Sequence, residues 1–163
     1  MNFQEASENY ASDLLLHKLH PKYTFHGLFH TTQVVEKAVE LAGEEKLSPD
    51  ELEVLLLAAW FHDTGYIHDP RNHEGTSCVI AAEHLLRPRA GEELIKKVCL
   101  TILGTRMPQS PSNKLEAILC DADLHHLGYV DYKIWNKMLC KEVCGEGTDI
   151  NQVGWLQGNY CLF

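Results

Sequence analysis

The adjacent His62 and Asp63 are the side chains in this sequence that most require a chemical explanation. They follow a run from Leu52 to Phe61 that contains one polar residue, Glu53, and this run predicts a helix buried on nearly all sides. Burying an ionised carboxylate is costly unless it is paired with a cation or coordinates a metal. Asp63 therefore requires a cation, and an imidazole beside a carboxylate suits a first-row divalent metal better than calcium.

The geometry of a helix limits how these two residues can act together. Neighbouring helical residues point about 100° apart, so His62 and Asp63 can reach one ion only where the helix is ending. Gly65 is predicted to end it. The alternative is a core histidine hydrogen-bonded to its neighbour, which would be favoured if the pair stood alone. A metal site therefore needs ligands from elsewhere in the chain.

A second candidate ligand, His30, stands at the start of an amphipathic segment that is predicted to be a helix ending at Gly43. The apolar stripe of this helix is predicted to consist of Val34, Val35, Ala38, Val39 and Ala42. His26 lies four residues before His30, so the two imidazoles share a face if the helix has already begun at His26.

Two carboxylates lie near the end of another predicted helix, Lys114 to His125, and helical spacing separates them. Asp123 comes four residues after the inward-facing Leu119, whereas Asp121 is rotated by about 200° from Asp123. We therefore expect Asp123 to be a ligand. Asp121 is expected to support it or to cap the helix in solvent.

The rest of the chain is also predicted to be helical. Ser48, Pro49 and Glu51 form a strong helix start with a capping box. Further helices are predicted over Glu5 to His20 with Tyr10 and Leu14 inward, over TSCVIAAEHLL with Val79, Ile80, Ala82 and Leu86 inward, over Glu92 to Gly104, and from a capping Asp131 to Gly145. No convincing strand and no repeat is found, so the sequence predicts an all-α protein.

Composition bounds the class of protein. With 163 residues and 45% apolar content, the chain fits one domain, residues 1–163. Its net charge of −9 argues against a surface for a nucleic acid polymer. Six cysteines without a CxxC pair, together with no export signal and no long apolar span, predict a reduced, cytoplasmic protein that does not enter a membrane.

The ordered set of His30, then His62 with Asp63, then Asp123 resembles the HD superfamily of metal-dependent phosphohydrolases. The matching strings are FHGLFHTTQVV, LLLAAWFHDTGY, NHEGTSCVIAAEHLL and LTILGTRMPQSPSNKLEAILCDADLHHLG, so the likeness covers residues 23–128. The resemblance implies a compact bundle of six to eight helices and a helical extension over residues 129–163 that is shorter than in relatives.

The resemblance also implies one divalent metal ion, held by His30, His62, Asp63 and Asp123. Ligand type allows Mn, Fe, Co, Ni, Zn or Mg. Such an ion lowers the pKa of bound water and polarises a phosphoryl oxygen. The expected activity is hydrolysis of a phosphate ester of a small metabolite, with a nucleotide as the first candidate. The residues assigned to catalysis are His26, Asp63, His73 and Glu74.

His26 corresponds to the first histidine of the YHNxxH string of many relatives, including cyclic-nucleotide phosphodiesterases, where it protonates the leaving group. Here the string is FHGLFH, and a packing role for His26 is the alternative. His73 and Glu74 match an HE pair that lies beside the metal in relatives, and His73 is expected to contact phosphate or bound water. Arg106 is a candidate phosphate contact because its planar fork suits bidentate binding, although a solvated loop arginine is the commoner case.

Binuclear relatives place a further histidine where this chain has Gly104-Thr105-Arg106. Because that histidine is missing here, a single metal is favoured over two, and an oxygen-using di-iron enzyme is disfavoured. A non-catalytic metal-binding sensor or interaction module is the second hypothesis. Surface or packing roles are expected for His17, His20, His68, His84, His125 and His126. The aromatic residues Trp155, Tyr160 and Phe163 are expected to close the pocket or to form a homodimer contact.

Overall fold

The computed structural model describes residues 3–87, 90–130 and 132–144, and most of them lie in seven α-helices. These are α1 (Phe3–His17), α2 (Leu28–Glu44), α3 (Pro49–Phe61), α4 (His73–Leu86), α5 (Glu92–Leu103), α6 (Lys114–Asp123) and α7 (Tyr132–Cys144). Short 3-10 turns cover Thr64–Ile67, Pro70–Asn72 and His125–Gly128. No strand occurs in these ranges, so the all-α prediction is confirmed.

Helix α3 forms the centre of the bundle and packs against α1, α2, α4, α5 and α6. Every residue from Val54 to Phe61 is buried, as its apolar sequence predicts. The helix begins with the expected capping box, in which the Glu51 amide donates to the Ser48 hydroxyl and the Ser48 amide donates to the Glu51 carboxylate. This cap fixes where α3 begins and therefore which residues stand at its other end.

The helices around α3 bury rows of residues at four-residue spacing, many of them small. The rows are Ser7, Ala11 and Leu15 in α1, then Val34, Ala38 and Ala42 in α2, and Ser77, Ala81 and Leu85 in α4. The predicted inward positions Val39 and Val79 are instead 49% and 57% exposed, and Leu86 is also exposed. Small side chains let two helices approach closely, so they determine the buried face more than apolarity alone does.

Several predicted boundaries also differ from the structure. Helix α1 ends at His17, three residues before His20, α2 ends at Glu44, just beyond Gly43, and α6 ends at Asp123, two residues before His125. The predicted cap Asp131 and the aromatic residues Trp155, Tyr160 and Phe163 lie outside the described residues. Among the helices that the structure describes, none has the length and apolar character needed to cross a membrane.

Gly65 is required for a reason other than the one the sequence suggests. Helix α3 already ends at Phe61, and Gly65 belongs to the 3-10 turn that follows. A Cβ atom at this position would overlap the backbone carbonyl of His73. Glycine therefore permits the turn after α3 to lie directly against the start of α4, which brings His73 beside Asp63.

Candidate metal centre

His62 and Asp63 lie where the backbone leaves the helical conformation. His62 is still helical, with φ −51° and ψ −38°, whereas Asp63 has φ −105° and ψ 0°. The change in backbone direction brings His62 Nε2 and Asp63 Oδ2 to 3.2 Å from one another. The Ser77 hydroxyl of α4 donates to the His62 carbonyl and accepts from the Gly65 amide, so α4 satisfies the backbone of this turn.

The tautomer of His62 follows from its second ring nitrogen. Nδ1 is 2.8 Å from the Ala59 carbonyl oxygen, which can only accept, so Nδ1 carries a proton and donates it. In the neutral imidazole the lone pair is then on Nε2, which faces the carboxylates. A histidine held through Nδ1 in this way presents Nε2 as a metal ligand.

Helices α2 and α6 bring the remaining two predicted ligands to the same place. His30 Nε2 is 3.1 Å from Asp123 Oδ1 and 3.5 Å from Asp63 Oδ2, and His62 Nε2 is 3.7 Å from Asp123 Oδ1. Ligand atoms of His30, His62 and Asp123 all lie within 4.8 Å of one another, so this cluster could hold a metal ion. Asp121 is exposed, in agreement with the helical spacing.

Three buried side-chain atoms of the predicted ligands make no hydrogen bond within the described residues: His30 Nδ1, His62 Nε2 and Asp63 Oδ2. Of these, His62 Nε2 and Asp63 Oδ2 lie 3.2 Å from one another. A neutral imidazole lone pair so close to carboxylate oxygens is unfavourable unless a cation lies between them. Two imidazoles and two carboxylates are a donor set suited to a first-row divalent ion. The residues present therefore fit the metal that the resemblance implies.

The pKa values of the cluster indicate the same demand for positive charge. Burial alone would lower the pKa of His62, but the neighbouring carboxylates Asp63 and Asp123 raise it well above its usual range. Burial would raise the pKa of both carboxyl groups, yet the histidines hold the pKa of Asp123 well below its usual range and also lower that of Asp63. The carboxylates therefore stay ionised beside the imidazoles, and a bound metal ion would supply the positive charge that balances them.

A pocket of about 180 Å³ opens directly onto this cluster. The Asp123 side chain is 20% exposed and the Asp63 side chain 4%, so Asp123 is the more accessible carboxylate. The residues that line the pocket are of two kinds, polar and apolar. The polar lining includes His26, Tyr66, His73 and Glu74, and the apolar lining includes Phe25, Met107, Leu124, Leu127 and Leu139.

His26 stands at the pocket wall and is held by Glu142 of α7. Its Nδ1–H donates to the Glu142 carboxylate in a very short contact. The amides of Phe25 and His26 also donate to Glu142, at 2.8 and 3.1 Å. The imidazole stacks on the Tyr66 ring, and His26 Nε2 lies 3.2 Å from the Tyr66 hydroxyl. Helix α2 begins only at Leu28, so His26 reaches the site from the preceding turn and not from the helix.

Glu142 and Tyr66 are site residues that the sequence analysis does not identify. Tyr66 follows the His62-Asp63 pair closely, which is a usable signal. Glu142 is 116 residues from His26, and its signal is weaker: it lies four residues after Met138 and seven after Trp135, on the same face of α7 as these apolar residues. A carboxylate on an apolar face requires a buried partner.

His73 and Glu74 begin α4 and lie beside the cluster, as expected. His73 Nε2 is 3.6 Å from both Asp63 Oδ1 and Glu74 Oε1. Arg106 is not itself among the lining residues. Its guanidinium donates to the Asn72 side-chain oxygen at 2.8 Å and lies 3.7 Å from the carboxylate of Glu74, which does line the pocket. Its role as a phosphate contact stays a prediction.

The other histidines take different positions, and one of them lines the pocket. His126 is buried at the pocket wall, where burial lowers its pKa to about 4. His125 is buried, and its Nδ1 is 2.6 Å from the Ala122 carbonyl. His84 stacks on Tyr10. These contacts agree with packing roles, but His126 also faces the volume that a ligand would fill.

A helical bundle whose central helix ends in a buried His-Asp pair, joined by a histidine and an aspartate from two further helices, has the features of an HD-type domain. A family model described as HD-CE matches residues 20–117, more than half of the chain, so this chain belongs to the HD-CE family. The resemblance to HD-domain proteins is thereby confirmed. No curated protein and no solved structure matches it significantly. Asp123 and Glu142 both follow the matched residues.

Proposed function

We propose that this protein hydrolyses the phosphate ester of a small metabolite, with a nucleotide as the first candidate, and that it requires one divalent metal ion. One observation carries this proposal. His62 Nε2 and Asp63 Oδ2 make no hydrogen bond within the described residues, and they converge with His30 and Asp123 beside a pocket. These four residues would hold the ion. Bound there, the ion would polarise a phosphoryl oxygen and lower the pKa of a water molecule.

His26 is the proposed proton donor to the leaving oxygen of the ester. Burial alone would lower the pKa of His26, but the hydrogen bond to Glu142 and the charges of Asp63 and Asp123 raise it above its usual value. The raised pKa favours the protonated imidazole, which is the form that a general acid needs. With Nδ1 held by Glu142, the proton on Nε2 is the one available to the substrate.

His73 and Glu74, at the start of α4, are proposed to orient the phosphate or the attacking water. His73 Nδ1 is 3.2 Å from the Pro70 carbonyl, so this nitrogen donates to the backbone and Nε2 is directed to Asp63 and the pocket. The positive charge of Arg106, which lies 3.7 Å from Glu74, partly balances the negative charge of the Glu74 carboxylate. In this proposal the substrate is a small anion and not a nucleic acid polymer, in keeping with the net charge of −9.

The test combines metal content with hydrolysis. Purified protein is subjected to elemental analysis, and phosphate esters are screened with each candidate metal added, for the native chain and for Asp63→Ala. We expect about one equivalent of a transition metal, and hydrolysis that falls to background in the variant. Bound metal without turnover of any ester would favour the sensor or interaction module. Absence of metal binding would contradict the proposal at its premise.

A further inference from the structure

The pocket beside the metal cluster contains no cationic side chain of the lysine or arginine type among the described residues that line it. Three carboxylates do line it, Asp63, Glu74 and Asp123. The nearest arginine in sequence, Arg106, lies between two lining residues but is paired with Asn72 and Glu74. Among the described lining residues, positive charge for an anion therefore comes from imidazoles, together with a bound metal ion.

Neighbouring segments contribute few basic side chains. Residues 145–163 contain neither lysine nor arginine. On α7, which contributes lining residues, Lys133, Lys137 and Lys141 are exposed and outside the pocket lining. Among the described lining residues, the basic side chains are therefore imidazoles.

The charge balance limits how many phosphate groups the site can accept. The charge of a divalent ion held by Asp63 and Asp123 would be offset by these two carboxylates, which leaves lining imidazoles such as that of His26 to meet the substrate. Sites that bind di- and triphosphates add lysine or arginine clamps for the additional charges. Here a second or third phosphate would face Glu74 and the apolar wall, where an unpaired charge is costly.

The apolar wall indicates what the rest of the substrate is like. Met107, Leu124, Leu127 and Leu139 line the pocket, and its volume is about 180 Å³. Because a water molecule occupies about 30 Å³, this is room for roughly six waters, or for one phosphate and part of a compact organic group. From the absent cations and this wall we infer that the substrate carries a single phosphate on an uncharged organic group, part of which packs on apolar side chains.

This inference rests on the proposed hydrolase function, and the experiment separates the two. Hydrolysis of p-nitrophenyl phosphate tests the function by itself, while AMP, ADP and ATP vary only the number of phosphates. With the metal in excess of nucleotide, we expect kcat/KM for AMP to exceed that for ADP and ATP by on the order of 100-fold. If none of the three is hydrolysed, their inhibition of p-nitrophenyl phosphate hydrolysis should follow the same order.

A designed cation tests whether charge causes the preference. Met107 lines the pocket and is 43% exposed, so Met107→Lys can place an ammonium group at the wall without disturbing the core. We expect the preference for AMP over ADP to fall by about tenfold. Val79→Lys makes the same charge change on the outer surface of α4, where the side chain is 57% exposed, and should leave the preference unchanged.

The outcomes are distinct. Loss of all ester hydrolysis, with p-nitrophenyl phosphate included, would count against the proposed function. ADP or ATP used as well as AMP by the native protein would overturn the single-phosphate inference while leaving the function intact. A preference for AMP that Met107→Lys does not reduce would also overturn it, because charge would then not be the cause.

Discussion

The polar side chains at the two ends of α3 differ in burial and in hydrogen bonding. At the first end, Ser48 and Glu51 are exposed and complete one another's hydrogen bonds. At the other, His62 and Asp63 are buried, and one atom of each has no hydrogen-bond partner in the described part of the chain. Both ends belong to one helix with a continuous buried core. The capped end contributes to stability by itself, whereas the buried end could hold a metal ion.

The difference predicts that substitutions at the two ends affect different properties. A change at the buried end should alter metal content and hydrolysis first. A change at the capped end should alter the free energy of unfolding and leave chemistry untouched. This separation would not be expected if the His-Asp pair were an ordinary core contact.

The largest effect is expected from Asp123→Asn, with Asp121→Asn as its matched control two residues away. Asp123 Oδ1 lies 3.1 Å from His30 Nε2, whereas Asp121 is exposed on the same helix. Loss of one charged ligand should reduce metal content to background and hydrolysis by about 10³-fold or more, and the control should stay within about twofold. Elemental analysis and kcat/KM measure both. Equal behaviour of the two variants would remove Asp123 from the ligand set.

Gly65→Ala should strongly destabilise the protein, because the new Cβ would overlap the His73 carbonyl. Since backbone must move, we expect a loss of about 2–4 kcal/mol in the free energy of unfolding. Gly43→Ala is the control, because a Cβ there meets nothing within 4 Å. It lies within α2, so alanine should be neutral or stabilise by up to about 1 kcal/mol. Urea unfolding measures both, and similar midpoints for the two variants would contradict the close approach.

Glu142→Gln should lower kcat by about 10- to 100-fold without changing metal content, because it removes the charge that supports His26. A proton donor loses activity as pH rises through its pKa. Glu142 raises the pKa of His26, so its neutral replacement should move the alkaline limb of the kcat profile to lower pH. The other titratable groups that face His26 are His30, Asp63, Asp123, His73 and Tyr66, and all remain in the variant.

The exposed Glu83 of α4 provides the control for this change. Glu83→Gln removes the same charge far from His26 and should leave both kcat and the alkaline limb in place. An unchanged limb in Glu142→Gln would show that His26 is not the titrating proton donor, even if kcat fell.

The parts of the site that depend on local spacing could be predicted from the sequence. Helix periodicity correctly separates Asp123 from Asp121, and the end of an apolar run locates His62 and Asp63. The contact between His26 and Glu142 joins residues 116 positions apart, and no local pattern encodes it.

Tertiary packing also determines features that are predicted wrongly from the sequence. Gly65 is read as a helix terminator because glycine commonly has that role, but its small size is needed for contact with another helix. Val39 and Val79 are apolar, yet rows of smaller residues occupy the interfaces instead. The spacing of apolar residues predicts that a helix is amphipathic. Which of its residues are buried depends on how closely its surface fits the neighbouring helix.

Ser48→Ala should have the smallest effect and is the direct test of the capped end. It removes the acceptor of the Glu51 amide at the start of α3, which should cost about 1 kcal/mol of unfolding free energy. Metal content and kcat/KM should match those of the native protein, because the buried core residues of α3 hold the position of His62 without the cap. Chemical denaturation and steady-state kinetics on one preparation give both answers. A fall in activity with normal stability would mean that the two ends are coupled through the helix, and the separation between them would fail.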